Sequence, residues 1–279
     1  MPREDPRRPA ITVFIGGGNM AGALIGGLLR TGHDPVAIRV VEPLAAQRER
    51  LAAAHGIAPQ AAADARLADA DVIVWAVKPQ AFAEAAAPCA AFVGGALQLS
   101  VMAGVRSDAI TRATGSRRIV RAMPNTPALI GQGIAGLFAS EEVSADERRT
   151  VERLLAPTGA TLWVDTEADL DAVTALSGSG PAYVFYLLEA MTAAAGAMGL
   201  DAARGRALAI ATVGGAAALA AQSTASPATL RQQVTSPNGT THAAISVLEA
   251  AGVRDRFVEA MLAAQRRARE LGDAFDVGG

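Results

Sequence analysis

Residues 181–198 and 202–222 are apolar on nearly every face and rich in alanine and glycine. Each is long enough for a helix, and neither carries a sustained polar stripe. A helix that is hydrophobic all round has to be surrounded. About 110 residues follow position 166, and a domain that small buries only about 60–70% of its chain surface. It cannot enclose two such helices comfortably, so a second copy of the chain is the expected cover. A membrane is not: the unbroken apolar run 207–221 is flanked by Arg204, Arg206 and Gln222, and a spanning helix needs roughly 20 apolar residues. Helices are also expected over 240–250 and 254–271, with no convincing strand among them.

The first part of the chain has the opposite character. Short apolar runs at 11–15, 38–41, 72–77, 97–101 and 119–122 read as buried strands, with helical stretches such as 18–29 and 42–54 between them. Strands alternating with helices imply a doubly wound parallel sheet. Runs at 135–138 and 161–164 extend it, separated by a helix whose start, Ser144 three residues before Glu147, matches a capping box. The expected fold is therefore α/β, an N-terminal Rossmann-like sheet over 10–166 plus a C-terminal all-α dimerisation domain over 167–279. Residues 1–9, with three arginines among prolines, read as a disordered tail.

Charge narrows the partners. Lys and Arg total 25 against 27 Asp and Glu, a net charge of −2, which argues against nucleic acid as a partner. Cys89 is the single cysteine, so no internal disulfide forms and a reducing compartment fits; in its Ala-rich surroundings it reads as buried filler. His33, His55 and His242 lack metal-ligand spacing, and no metal is expected. The first apolar stretch is a strand ending in glycines rather than a signal peptide, so the expected location is cytoplasmic.

Gly16-x-Gly18-x-x-Ala21 follows the first strand and opens a helix, with Glu42 closing the second strand. Such glycines let the backbone approach a pyrophosphate at the helix N-terminus. Strand, loop, helix and acid in order point to a dinucleotide. An acid at Glu42 normally accepts from a ribose 2′-hydroxyl and disfavours a 2′-phosphate; Arg48 lies one turn further on. Lys78-Pro79-Gln80 and Asn125 follow other strands at the same carboxyl edge, and Asn125 suits a nicotinamide amide. Far away in sequence, Val234-Thr235-Ser236-Pro237-Asn238-Gly239-Thr240-Thr241 opens another helix. Its N–H groups and the hydroxyls of Ser236, Thr240 and Thr241 suit a small carboxylate. Ser177-Gly178-Ser179-Gly180-Pro181 is a further small-residue helix start.

Together these blocks resemble the pyrroline-5-carboxylate reductase family. The resemblance rests on Val234 to Thr241 running into Ala244-Ile245 and Leu248-Glu249. It rests also on Ile15-Gly16-Gly17-Gly18-Asn19-Met20, Ala76-Val77-Lys78-Pro79-Gln80, Arg121-Ala122-Met123-Pro124-Asn125-Thr126-Pro127, and Asp171-Ala172-Val173-Thr174 leading to Ser177 through Tyr183. It implies reduction of 1-pyrroline-5-carboxylate to L-proline with NADPH or NADH, by a homodimer with interleaved helical domains or a larger homo-oligomer. It places Ala76, Val77, Lys78, Pro79 and Gln80 along the cofactor ribose and phosphate, and with the glycine-loop residues Gly16, Gly18, Asn19 and Met20, and Glu42 and Asn125 at their strand ends, these are the expected cofactor contacts. Ser236, Gly239 and Thr240 would hold the substrate carboxylate, Thr241 would bond the ring nitrogen, and Glu167 would lie near the substrate.

Two positions depart from the pattern. Asn238 stands where the family usually has Gly, and Asn tolerates positive φ. Residues 222–226 lack the Glu and His many members carry, which removes an acid–base role for that loop. A β-hydroxyacid dehydrogenase would need a lysine on the helical domain, and no Lys occurs after Lys78. A non-catalytic nicotinamide-binding regulator of the same fold is the other alternative.

Overall fold

The computed structural model describes residues 10–277; the tail expected over residues 1–9 lies outside them. The chain forms two compact units: residues up to 179 together with those from 264, and Gly180–Ala263. This differs from a boundary at 166. The segment 167–179 stays with the sheet because glycines on each side admit side chains of the other. A Cβ on Gly136 would lie 2.6 Å from Val173, and one on Gly178 would lie 2.6 Å from Met123.

The first unit is built on a seven-stranded sheet of order β2-β1-β3-β4-β5-β6-β7. The strands are β1 Thr12–Ile15, β2 Ile38–Val41, β3 Val72–Trp75, β4 Leu97–Ser100, β5 Ile119–Met123, β6 Gly133–Ala139 and β7 Gly159–Trp163. The first five are parallel; β6 runs antiparallel to β5, and β7 parallel to β6. The sheet is thus mixed rather than wholly parallel. Residues 124–132 are too few for a parallel crossover, which needs a dozen or more.

Helices cover both faces, which is why the strands are continuous apolar runs rather than alternating ones. Helices α1 Asn19–Arg30, α2 Ala45–His55 and α6 Ala145–Leu155 pack Leu24, Leu28, Leu51, Val151 and Leu155 on one face against Phe14, Val40, Val74, Leu99 and Val120. Short helices α3 Phe82–Ala86 and α4 Ala90–Val93, with α5 Ser107–Thr114, cover the other face through Phe82, Val93 and Ile110, against Ile15, Trp75 and Ile119. Buried Gln98 is satisfied: its amide accepts from Trp75 Nε1 and donates to the Val93 and Ala96 carbonyls. Ser144 and Glu147 form the expected capping box on α6. Cys89 is buried, and burial pushes its thiol up to about 11, which leaves it unreactive. After β7 come α7 Asp169–Val173 and a π-helical turn, Thr174–Gly178.

The second unit holds α8 Gly180–Ala197, α9 Ala202–Ala221, α10 Pro227–Gln233, α11 Thr240–Ala250 and the first part of α12 Val253–Val277. Helix α10 escapes an apolar-periodicity reading because it is short and polar; Ser226 caps it and Pro227 opens it. Gly205 lets α9 approach α8, since a Cβ there would sit 2.7 Å from Ala195. Of α8 and α9 only Ala195, Gly205 and Ala209 are buried. Among the described residues no helix is long and apolar enough to cross a membrane.

Candidate active site

The carboxyl ends of the parallel strands form one edge. Val41, Ile15, Trp75, Ser100 and Arg121 share its last register row. The ladder continues one step: Gly16 N–H donates to Val41 O, Ala76 N–H to Ile15 O and Val101 N–H to Trp75 O. The glycine loop, the Ala76–Gln80 turn and the β4–α5 loop therefore border the same crevice, with Asn125 following β5.

Gly16 adopts φ +96°, and a Cβ there would lie 2.8 Å from Ala76 O and Val77 Cγ1; only glycine fits. Gly18, the residue before α1, has nothing within 4 Å of its would-be Cβ, and no side chain caps the helix. An uncapped helix start under open space suits a pyrophosphate, so the residues fit a dinucleotide. Lys78 is exposed at the head of the short turn Pro79–Ala81. Asn125 Oδ1 accepts from Ile134 N–H at 3.0 Å, which leaves the side-chain NH₂ for a ligand.

Glu42 departs from expectation. Its Oε2 accepts from Gly17 N–H and its Oε1 from Leu44 N–H, both at 2.8 Å, and the residue is 7% exposed. The carboxylate is turned inward as a brace between the glycine loop and the turn after β2, rather than outward to a ribose. Arg48 closes the same turn from outside, donating to Glu42 O at 2.9 Å and Pro43 O at 2.7 Å. Glu42→Gln is therefore expected to weaken NADH and NADPH together, by about tenfold, because one backbone N–H then faces an amide NH₂. Fluorescence titration with each cofactor checks it; a loss confined to NADH would restore the ribose role.

In the helical unit, residues 234–239 join α10 to α11. Asn238 has φ +59°, the one non-glycine residue in that region among those described, so the Asn takes the conformation a Gly would. Gly239 precedes α11 with extended backbone, its N–H bonded to Ser236 O and its would-be Cβ 2.6 Å from Ser236 Oγ. No side chain caps α11. Ser236 and Thr240 are exposed and Thr241 is half-buried. The structure brings Ser236, Gly239, Thr240 and Thr241 to one helix start.

Residues 167–271 match the model for pyrroline-5-carboxylate reductase dimerisation, and residues 11–104 match that for coenzyme F420-dependent NADP oxidoreductases. A pyrroline-5-carboxylate reductase of Pseudomonas aeruginosa is 44% identical, over 93% of this chain and 96% of its own. The chain belongs to the pyrroline-5-carboxylate reductase family. The solved reductase of Coxiella burnetii is 38% identical, with a TM-score of 0.88 over 95% of this chain and 99% of its own. The Plasmodium falciparum pyrroline carboxylate reductase, solved with NADP bound, shares the fold: TM-score 0.83 at 24% identity, covering 94% of this chain and 98% of its own.

Glu167 belongs to the α/β unit, not to the helix start that carries Thr241. Its Oε1 accepts from Ser107 N–H at 2.7 Å, Ser107 Oγ at 2.8 Å and Arg121 Nη1 at 2.8 Å. Sequence reasoning missed Ser107 altogether and read Arg121 only as part of a motif. A buried Arg inside a strand was the available signal. Burial alone would raise the Glu167 carboxyl; the Arg121 charge and the bonds from Ser107 and Arg121 outweigh it and hold it below the ordinary 4.5. A depressed carboxylate stabilises the fold above its unfolded value, and that stability is lost as pH falls through the folded one. Melting temperature should therefore drop in acid, starting below about pH 4.5 and less steeply in Glu167→Gln; parallel pH curves for the two proteins would refute this.

Proposed function

We infer that this chain reduces 1-pyrroline-5-carboxylate to L-proline with NADPH or NADH. One observation carries the reading: a chain whose relatives bear that activity's name contains both an open, glycine-lined helix start in one unit and a hydroxyl-rich one in the other. A dihydronicotinamide held there would supply a hydride to the imine carbon of the five-membered ring. With its nitrogen protonated the imine is already electrophilic, so the chain's task is position rather than strong acid catalysis.

Gly16, Gly18, Asn19 and Met20 receive the pyrophosphate, with Ala76, Val77, Lys78, Pro79 and Gln80 along the ribose and phosphate. Asn125 offers its amide donor to the nicotinamide. Ser236 Oγ with the Gly239 and Thr240 N–H groups binds the carboxylate, and Thr241 Oγ1 bonds the ring nitrogen. Residues 167–271 serve dimerisation and the helix start at 236–241 serves substrate binding, in a homodimer working in the cytoplasm.

The test is direct. Purified protein given NADPH should lose dihydronicotinamide absorbance when pyrroline-5-carboxylate is added, with proline formed mole for mole. Tight cofactor binding without turnover would favour a regulator of the same fold instead.

A further inference from the structure

The loop between β4 and α5, residues 101–106, is pinned at both ends and in the middle. At its start, Val101 N–H reaches Trp75 O at 3.0 Å and Met102 N–H reaches Ser100 Oγ at 3.3 Å. In its middle, Gly104 takes φ +78°, and the Phe275 ring lies 3.3 Å from its would-be Cβ. Arg106 pairs with Asp273 of the same terminal helix. At its end, Ser107 gives both its N–H and its hydroxyl to Glu167. Arg106, the residue before α5, provides no side-chain cap; the cap is a carboxylate 60 positions away.

Arg121 holds that carboxylate from below. It lies in the last register row of the sheet, opposite Ser100, and is 7% exposed. Its Nε is buried with no hydrogen-bond partner. An ion pair buried on its arginine side and half-buried on its carboxylate side, with an unsatisfied donor, stabilises a fold poorly, and an apolar pair of the same size often does as well or better. Its value therefore lies in where it puts something.

We propose that Arg121, Glu167 and Ser107 form a clamp that positions the β4–α5 loop against the nicotinamide half of the cofactor; the proposal rests on the reductase reading above. The pyrophosphate belongs at the start of α1, and the adenosine half lies on the β2 side of it. Strand β4 lies on the other side of β1, beyond β3. The loop it feeds is thus the edge segment that meets the nicotinamide end. The three clamp residues touch no reacting atom; they are positioning residues.

The experiment uses full-length protein and two ligands. NADPH spans both halves of the crevice, and adenosine 2′,5′-bisphosphate occupies only the adenosine half. Binding is read by NADPH fluorescence and by calorimetry for the fragment. Glu167→Gln should weaken NADPH about tenfold and lower kcat by a similar factor, as loss of alignment does, while fragment affinity stays within about twofold. Ser107→Ala keeps the ion pair and the fold, and should move NADPH in the same direction by about twofold to threefold. The paired variant Arg121→Met with Glu167→Met should regain melting temperature without regaining NADPH affinity or kcat. Recovery of both together would make the clamp merely structural and overturn the proposal. So would NADPH affinity unchanged in Glu167→Gln, or fragment affinity falling as far as that of NADPH. Wild-type protein that binds neither ligand would overturn the cofactor reading itself.

Discussion

Thr241→Ala is expected to lower turnover of pyrroline-5-carboxylate by about 10²–10³ while leaving NADPH affinity nearly unchanged, the size lost with one transition-state donor. The structure makes this hydroxyl conspicuous. Thr114, Thr174, Thr192 and Thr235 each commit their hydroxyls to the carbonyl four residues back. Thr241 makes no such bond, is half-buried, and stands second in a helix that no side chain caps. Its removal therefore breaks nothing inside the fold, and melting temperature should hold. Thr241→Ser should restore most of the rate, since the role requires the oxygen and not the methyl group. A loss appearing only in KM would reassign Thr241 to substrate binding alone. Activity within twofold of wild type would remove it from the site.

What the sequence makes legible is what local chemistry decides. The glycine loop declares itself because only Gly can hold φ +96° against Ala76 and Val77. Ser144 and Glu147 declare a helix start because the side chain of each accepts from the backbone N–H of the other. Asn238 is readable as a left-handed position because so few side chains tolerate it. Long-range choices are another matter. That β6 turns back along β5 follows from a short connection, not from any pattern inside β6 itself. Glu42 sits where an acid for a ribose would sit, yet its oxygens accept from one backbone N–H 25 positions upstream, at Gly17, and another at Leu44, just downstream. Sequence gives the position of a carboxylate but not the direction it faces. The Ser107–Glu167–Arg121 clamp joins residues 60 and 46 positions apart, and no local pattern announces it. The apolar helices are the converse case: their composition shows that something must cover them, without saying what shape the cover has.

Ala217→Glu is expected to abolish both assembly and activity. The helical unit buries very little within itself: α10 and α11 contain no buried residue, and α8 and α9 contain three small ones. Meanwhile Phe185 is 58% exposed, Tyr186 74%, Leu208 57%, Leu219 60% and Val247 69%. One chain leaves far more apolar surface uncovered than the few hundred Å² a monomer tolerates, and the match to a dimerisation domain over residues 167–271 supplies the cover. Ala217 shares a face of α9 with Ile210 and Gly214; Ile210 is 44% exposed, and nothing lies within 4 Å of where a Gly214 Cβ would be. Within one chain a glutamate there would point to solvent and cost almost nothing. In an interface as large and apolar as obligate homodimers have, it would be a buried charge without a partner. The two situations give opposite outcomes in one measurement. Sedimentation at sub-micromolar concentration should show wild type as a dimer or larger, and Ala217→Glu as monomer or aggregate without turnover. A folded, active wild-type monomer at that concentration, or an Ala217→Glu variant that still assembles, would mean that this face of α9 is not where the copies meet.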